Sequence, residues 1–158
     1  MLNFFKKKNN QIIIKSPFEG EIVDITNVND QMFSGKMLGD GVAVIPSSNK
    51  AVAPCDGEIT QIFPTNHAFG ITTKEGLEIL VHIGIDTVNL KGEGFKRILE
   101  AGTSVKKGDT VVEADLDYIK NKGKDTITPI IITNMDKVEC LDKNLKNIEN
   151  VMDITLKK

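Results

Sequence analysis

From Gln11 onward the chain alternates short apolar runs with turn residues. Ile12–Ile14, Ile22–Ile25, Val42–Ile45, Ile59–Phe63, Ile71–Thr73, Leu77–Ile83, Thr110–Glu113, Ile130–Ile132 and Val138–Leu141 read as strands. They are rich in β-branched residues and too short for helices. Glu19-Gly20, Asp40-Gly41, Asp56-Gly57, Glu75-Gly76 and Lys107-Gly108-Asp109 mark the turns between them. Such close, even spacing predicts an all-β sandwich or barrel. Only Phe95–Glu100 and Asp117–Lys122 have the pattern of brief helical turns.

The chain also echoes itself. Ser16-Pro17-Phe18-Glu19-Gly20-Glu21-Ile22 returns as Ala53-Pro54-Cys55-Asp56-Gly57-Glu58-Ile59, with Ile25 and Ile62 in matching places. A turn set by Pro and Gly, followed by a strand opening Glu-Ile, is used twice. Two related halves packed together would account for it.

The run Leu77–Ile83 holds the most informative position. Alternation puts Leu77, Ile79, Val81 and Ile83 on one strand face, and Glu78, Leu80 and His82 on the other. The first face is core, so His82 is expected to point away from it. Gly84 lets the chain turn close behind this histidine. Backbone N–H groups of the Gly84–Val88 turn are then expected to face the imidazole and to hold an anion there. The second histidine, His67, lies in the loop Pro64-Thr65-Asn66-His67, with a hydroxyl and an amide nearby to fix its tautomer.

Bulk properties narrow the field further. The 158 residues suit one domain, which buries roughly 70% of its unfolded surface. The predicted division is a flexible tail over 1–15 and a single β domain over 16–158. A net charge of −2 and the absence of any nucleic-acid motif argue against a polyanion partner. Cys55 and Cys140 have no metal-ligand spacing and are expected to be reduced, buried side chains. No apolar run approaches the ~18–20 residues of a membrane span, so a cytoplasmic protein is expected. Leu2, Phe4 and Phe5 before Lys6, Lys7 and Lys8 suggest at most weak membrane-surface contact, about 1 kcal/mol per lysine.

Several segments together resemble the glucose-class enzyme IIA family of the bacterial phosphoenolpyruvate-dependent sugar phosphotransferase system. They are Asn66-His67-Ala68-Phe69, Val81-His82-Ile83-Gly84-Ile85-Asp86-Thr87-Val88 and Leu90-Lys91-Gly92-Glu93-Gly94-Phe95. Gly39-Asp40-Gly41, Gly108-Asp109-Thr110, Thr128-Pro129 and Asn134-Met135-Asp136 agree as well. The resemblance implies an antiparallel β-sandwich with a duplicated strand motif. It implies that His82 takes a phosphoryl group from the phosphohistidine of HPr and passes it to a cysteine of a sugar-specific IIB domain. His67 would lie against His82 and assist donation, and Thr65 would hydrogen-bond the His67 ring. Asp86 and Val88 would bring backbone near the phosphoryl group.

The chemistry is consistent with that role. Imidazole presents an unprotonated nitrogen near neutral pH. Phosphoryl transfer asks the protein mainly for positioning and charge stabilisation, which a second imidazole supplies. No cofactor is required. By the same resemblance, His67 and His82 could share a zinc ion with a partner's carboxylate.

Met32, Phe33, Met37 and Leu38 form an apolar cluster between Asp30 and Asp40. The residues alone fit either a loop packed inward or a docking face. The resemblance favours a docking face that includes Phe63, with Asp30 and Asp86 as an acidic rim for a basic HPr. Leu80 and Gly70 stand where better-known members carry Phe and Ser. Three other readings compete: a zinc peptidase, a biotinyl or lipoyl carrier, and a regulatory binding protein without transfer. Two histidines without a His-x-His pair weaken the first. Asp136-Lys137-Val138 is a poor carrier-lysine hairpin for the second.

Overall fold

A computed structural model describes residues 10–158. Residues 1–9 of the tail expected over 1–15, with the expected membrane-surface contact, lie outside the described residues.

The strands follow in chain order as β1 Gln11–Ile14, β2 Gly20–Asp24, β3 Asp40–Pro46, β4 Lys50–Val52, β5 Gly57–Ile62, β6 Ala68–Thr72 and β7 Glu78–His82. Then come β8 Phe95–Arg97, β9 Ser104–Val105, β10 Thr110–Ala114, β11 Thr128–Ile132, β12 Val138–Lys143 and β13 Met152–Leu156. Two short helices, α1 Gln31–Ser34 and α2 Leu116–Asn121, and three single 3-10 turns complete the described chain. A seven-stranded sheet runs β2-β3-β11-β7-β6-β5-β9, and two three-stranded sheets run β1-β13-β12 and β4-β10-β8. Every ladder is antiparallel. The architecture is therefore the mostly-β antiparallel sandwich that the turn spacing predicts. No helix of the described residues is long and apolar enough to cross a membrane.

One face of the large sheet packs on the two small sheets over the main core. Ile79 and Val81 of β7 lie opposite Ile132 and Ile130 of β11, and all four are buried there. The other face carries a smaller cluster of Ile25, Val28, Phe33, Ala43, Ile85, Ile127 and Ile131, with Val23 and Leu80 at its margin. β11 is buried on both faces, which is why it ends in three consecutive isoleucines rather than an alternating pattern.

The sequence echo has a structural counterpart. Lys15 N donates to Pro54 O at 2.9 Å, and Val52 N donates to Pro17 O at 2.8 Å. Shifting by the repeat turns Lys15 into Val52 and Pro17 into Pro54, so each bond maps onto the other. The two Pro-Gly turns thus bind each other reciprocally, and each launches a strand, β2 or β5.

Four expectations change. Phe95–Glu100 is not helical: Phe95–Arg97 is extended and pairs with Val112–Ala114. The backbone groups of β10 need that partner, and the sheet outranks a weak local preference. The boundary at residue 15 moves, because Gln11–Ile14 pairs with Met152–Thr155 and buries Ile12 and Ile14. Cys140 is exposed on β12 and only Cys55 is buried. Ile25 opens a 3-10 turn instead of ending β2, because the Asp24 carboxylate accepts from Thr26 N and caps it.

Candidate functional site

The two histidines meet because of a hairpin. The turn closes with Thr73 N donating to Leu77 O and Gly76 N donating to Thr73 O, both 2.9 Å. It sets a register in which Ala68 faces His82 across β6 and β7. His67, one residue before β6, accepts from Ile83 N through its carbonyl at 2.7 Å. The ring centroids of His67 and His82 lie 5.0 Å apart and nearly perpendicular, at 80°.

Each ring is held at Nδ1. His82 Nδ1 lies 2.7 Å from Gly84 O. A carbonyl only accepts, so Nδ1 carries the proton and Nε2 keeps its lone pair. His67 Nδ1 lies 2.5 Å from Thr65 Oγ1. The turn after β7 therefore offers Nδ1 of the imidazole the Gly84 carbonyl. Within that turn Ile85 N donates to Asp125 O, and just beyond it Asn89 N donates to Asp86 O and Lys91 N to Val88 O. Gly84 is in the left-handed region at φ +77°, and a Cβ there would come within 2.6 Å of Thr87 Cγ2 and 2.7 Å of Asp125 O. Only glycine brings this carbonyl under the ring.

Burial sets the charge of the pair. His67 is 2% exposed. Its pKa is lowered to about 4, first by desolvation and then by repulsion from His82. His82 is half-buried beside the second cluster, and desolvation lowers its pKa too. The Gly84 carbonyl and the charges of Asp30 and Asp86 pull the other way without prevailing. Both rings are neutral at pH 7.

The apolar surroundings split into two groups. Phe33 is only 4% exposed and packs on the His82 ring at 5.1 Å, so it is a wall of the site and not an exposed docking residue. The N-cap explains this: Asp30 Oδ1 accepts from Met32 N and starts α1, which turns Phe33 inward. Phe63 packs its ring on His67 at 5.3 Å, edge to face, and is half-buried. Met32, Met37, Leu38 and Val88 stay exposed, Met37 at 69%. Met37 and Leu38 also line a shallow cavity of about 320 Å³ with Asp40, Thr133 and Met135. Asp86 is exposed in the left-handed region at φ +59°, and Asp30 is half-buried.

Among the described residues no three His, Cys, Asp or Glu side chains gather as a metal site. Two imidazoles fall short of the three protein ligands of catalytic zinc. Lys137 lies in a 3-10 turn rather than at a hairpin tip, so it is not presented as a carrier lysine. The Gly84 carbonyl and the second apolar cluster are the parts of the site that the sequence pattern did not reveal. A glycine after a strand signals a turn but not which backbone atom it presents.

Comparison with known proteins agrees with this geometry. The family described as phosphoenolpyruvate-dependent sugar phosphotransferase system, EIIA 1, matches residues 12–138. The chain is 54% identical over 138 residues to the PTS system glucose-specific EIIA component of Haemophilus influenzae, covering 87% of this chain and 83% of that protein. It is 46% identical over 149 residues to the protein of the same name from Borreliella burgdorferi, covering 94% of this chain and 78% of that one. The fold superposes on glucose permease IIA from Mycoplasma capricolum with a TM-score of 0.83 and 38% identity, over 92% of this chain and 96% of the other.

Proposed function

The chain belongs to the EIIA 1 family of the phosphoenolpyruvate-dependent sugar phosphotransferase system and is a phosphocarrier of that system, and on that premise we propose that Nε2 of His82 is the atom that carries the phosphoryl group. HPr and a IIB domain are the general partners of such a carrier. The observation that carries the proposal is the His82 Nδ1–H bond to Gly84 O, which leaves Nε2 as the nucleophile beside a second imidazole.

The lone pair of Nε2 attacks phosphorus in line. The new P–Nε2 bond forms as the P–N bond to the histidine of HPr breaks, and that imidazole leaves with its electron pair. His82 keeps its Nδ1 proton on Gly84 O throughout. In the second step the thiolate of a IIB cysteine attacks phosphorus, and the P–Nε2 bond returns its electrons to the ring. Because Nδ1 is still protonated, the leaving group is neutral imidazole and not imidazolate.

His67 assists the second step. With the Thr65 hydroxyl donating to Nδ1, its Nε2–H is the free donor and is directed to the phosphoryl oxygens. The arriving dianion favours protonation of His67 and counteracts the burial that holds its pKa near 4. Exposed Met32, Met37, Leu38 and Val88, with Asp30 and Asp86 beside them, form the docking face for both partners. The relatives' glucose-specific names support a glucose permease as the acceptor, and the exchange is assigned to the cytoplasm.

The test is stepwise. Phosphoenolpyruvate, enzyme I and HPr should add one acid-labile phosphoryl group to the wild type and none to His82→Gln. His67→Gln should accept the group and donate it poorly to IIB. Normal labelling of His82→Gln would end the proposal for His82, and normal donation by His67→Gln would end the role given to His67.

A further inference from the structure

We propose that Arg97 is a positioning residue that aims the His67 ring by clamping the loop before it. This rests on the reading of His67 as the group that assists donation. His67 is anchored on its C-terminal side by the β6–β7 ladder. On its N-terminal side the chain makes a tight turn, with Asn66 N donating to Phe63 O at 2.8 Å and Asn66 in the left-handed region at φ +61°. Thr65, whose hydroxyl meets the His67 ring, stands inside that turn.

Arg97 closes the turn from a different sheet. Its Nε donates to Asn66 Oδ1 at 2.7 Å, and its second guanidinium nitrogen reaches Phe63 O at 3.4 Å. One planar fork thus holds both ends of the turn, and its base is the last residue of β8. The loop leading into β8 covers Thr65 as well: a Cβ on Gly92, at φ +91°, would sit 3.8 Å from Thr65 O. Arg97 also pairs with Glu100 at 3.1 Å, but Glu100 is largely exposed and that pair contributes little to stability. The chain of contacts therefore runs from Arg97 through Asn66 and Thr65 to His67, and stops one ring short of His82.

That asymmetry gives the test. Arg97→Met and Asn66→Ala should accept the phosphoryl group from HPr close to the wild-type rate. Donation to IIB should slow about tenfold, within the span that a misplacement near an ångström costs. Arg97→Lys should not restore it, because an ammonium cannot reproduce the fork. The ¹⁵N signals of the His67 ring should move in Arg97→Met while those of His82 stay in place. Added to His67→Gln, Arg97→Met should slow donation no further. Unchanged His67 ring signals in Arg97→Met would overturn the proposal, whatever His67→Gln does. Equal loss of acceptance and donation would overturn it too, by showing a general defect. Normal donation by His67→Gln alone would instead refute the role of His67, and the ring signals would still decide for Arg97.

Discussion

Acid should weaken this fold through His67, and His67→Gln should relieve the weakness. The ring is buried and neutral, with a pKa lowered from 6.5 to about 4. Between those values the unfolded chain binds a proton that the native state refuses, so stability falls as pH falls. Above 6.5 neither state binds it and the full stability is present. Linkage with these two values gives a loss of about 2 kcal/mol at pH 5 and about 3 kcal/mol at pH 4. For a domain of this size about 2 kcal/mol corresponds to a fall in Tm of roughly 4–8 °C. His82 contributes with the same sign, but that share persists when His67 is replaced. Asp24 acts in a separate window. Its burial raises the pKa, but bonds from Lys143 and Thr26 outweigh that and bring it to about 2, so its stability is lost only below 3.8. Urea unfolding of wild type and His67→Gln at pH 8 and pH 5 isolates the term. The wild type should lose about 2 kcal/mol more than the variant between the two conditions. Equal losses in the two proteins would show that burial of the His67 ring does not control its protonation.

Three further outcomes follow from the site's construction. Phe33→Ala removes a buried ring that packs on His82, and should cost about 3 kcal/mol in urea unfolding. Thr65→Val keeps the side chain's shape but leaves His67 Nδ1 without its partner. It should cost about 1–3 kcal/mol and slow donation to IIB, read by stopped transfer assays. Gly84→Ala places a methyl against Thr87 and Asp125 in left-handed backbone. It should lose at least about 2 kcal/mol of stability and shift the His82 ring ¹⁵N signals as the Gly84 carbonyl moves.

The strand grammar was legible because it is local. Period-two alternation in Leu77–Ile83 assigns its two faces, and the structure keeps them: Ile79 and Val81 in the main core, Leu80 and His82 on the opposite side. The echo of Ser16–Ile22 in Ala53–Ile59 marked the reciprocal bonds between the two halves. What escaped depends on distant partners. Phe95–Arg97 is extended only because β10 needs a neighbour, and Ser104–Val105 is a strand only beside β5. Met152–Leu156 does alternate, yet its pairing with residues 11–14 crosses almost the whole chain. The same holds at the site. Thr65 and His67 are two residues apart and could be paired by eye, whereas Arg97 reaches Asn66 from a separate sheet with no trace in the spacing. The residues alone left Phe33 open between inward packing and a docking face, and the resemblance favoured docking; the Asp30 cap that turns it inward is visible only in three dimensions.

The proposed carrier atom can be tested directly. Protein labelled with ¹⁵N-histidine, phosphorylated through phosphoenolpyruvate, enzyme I and HPr, would be read by ³¹P and ¹⁵N NMR under alkaline conditions. The account predicts one phosphoryl group, coupled to Nε2 of His82, with Nδ1 of the same ring uncoupled. Coupling to Nδ1 of His82, or to either nitrogen of His67, would contradict it.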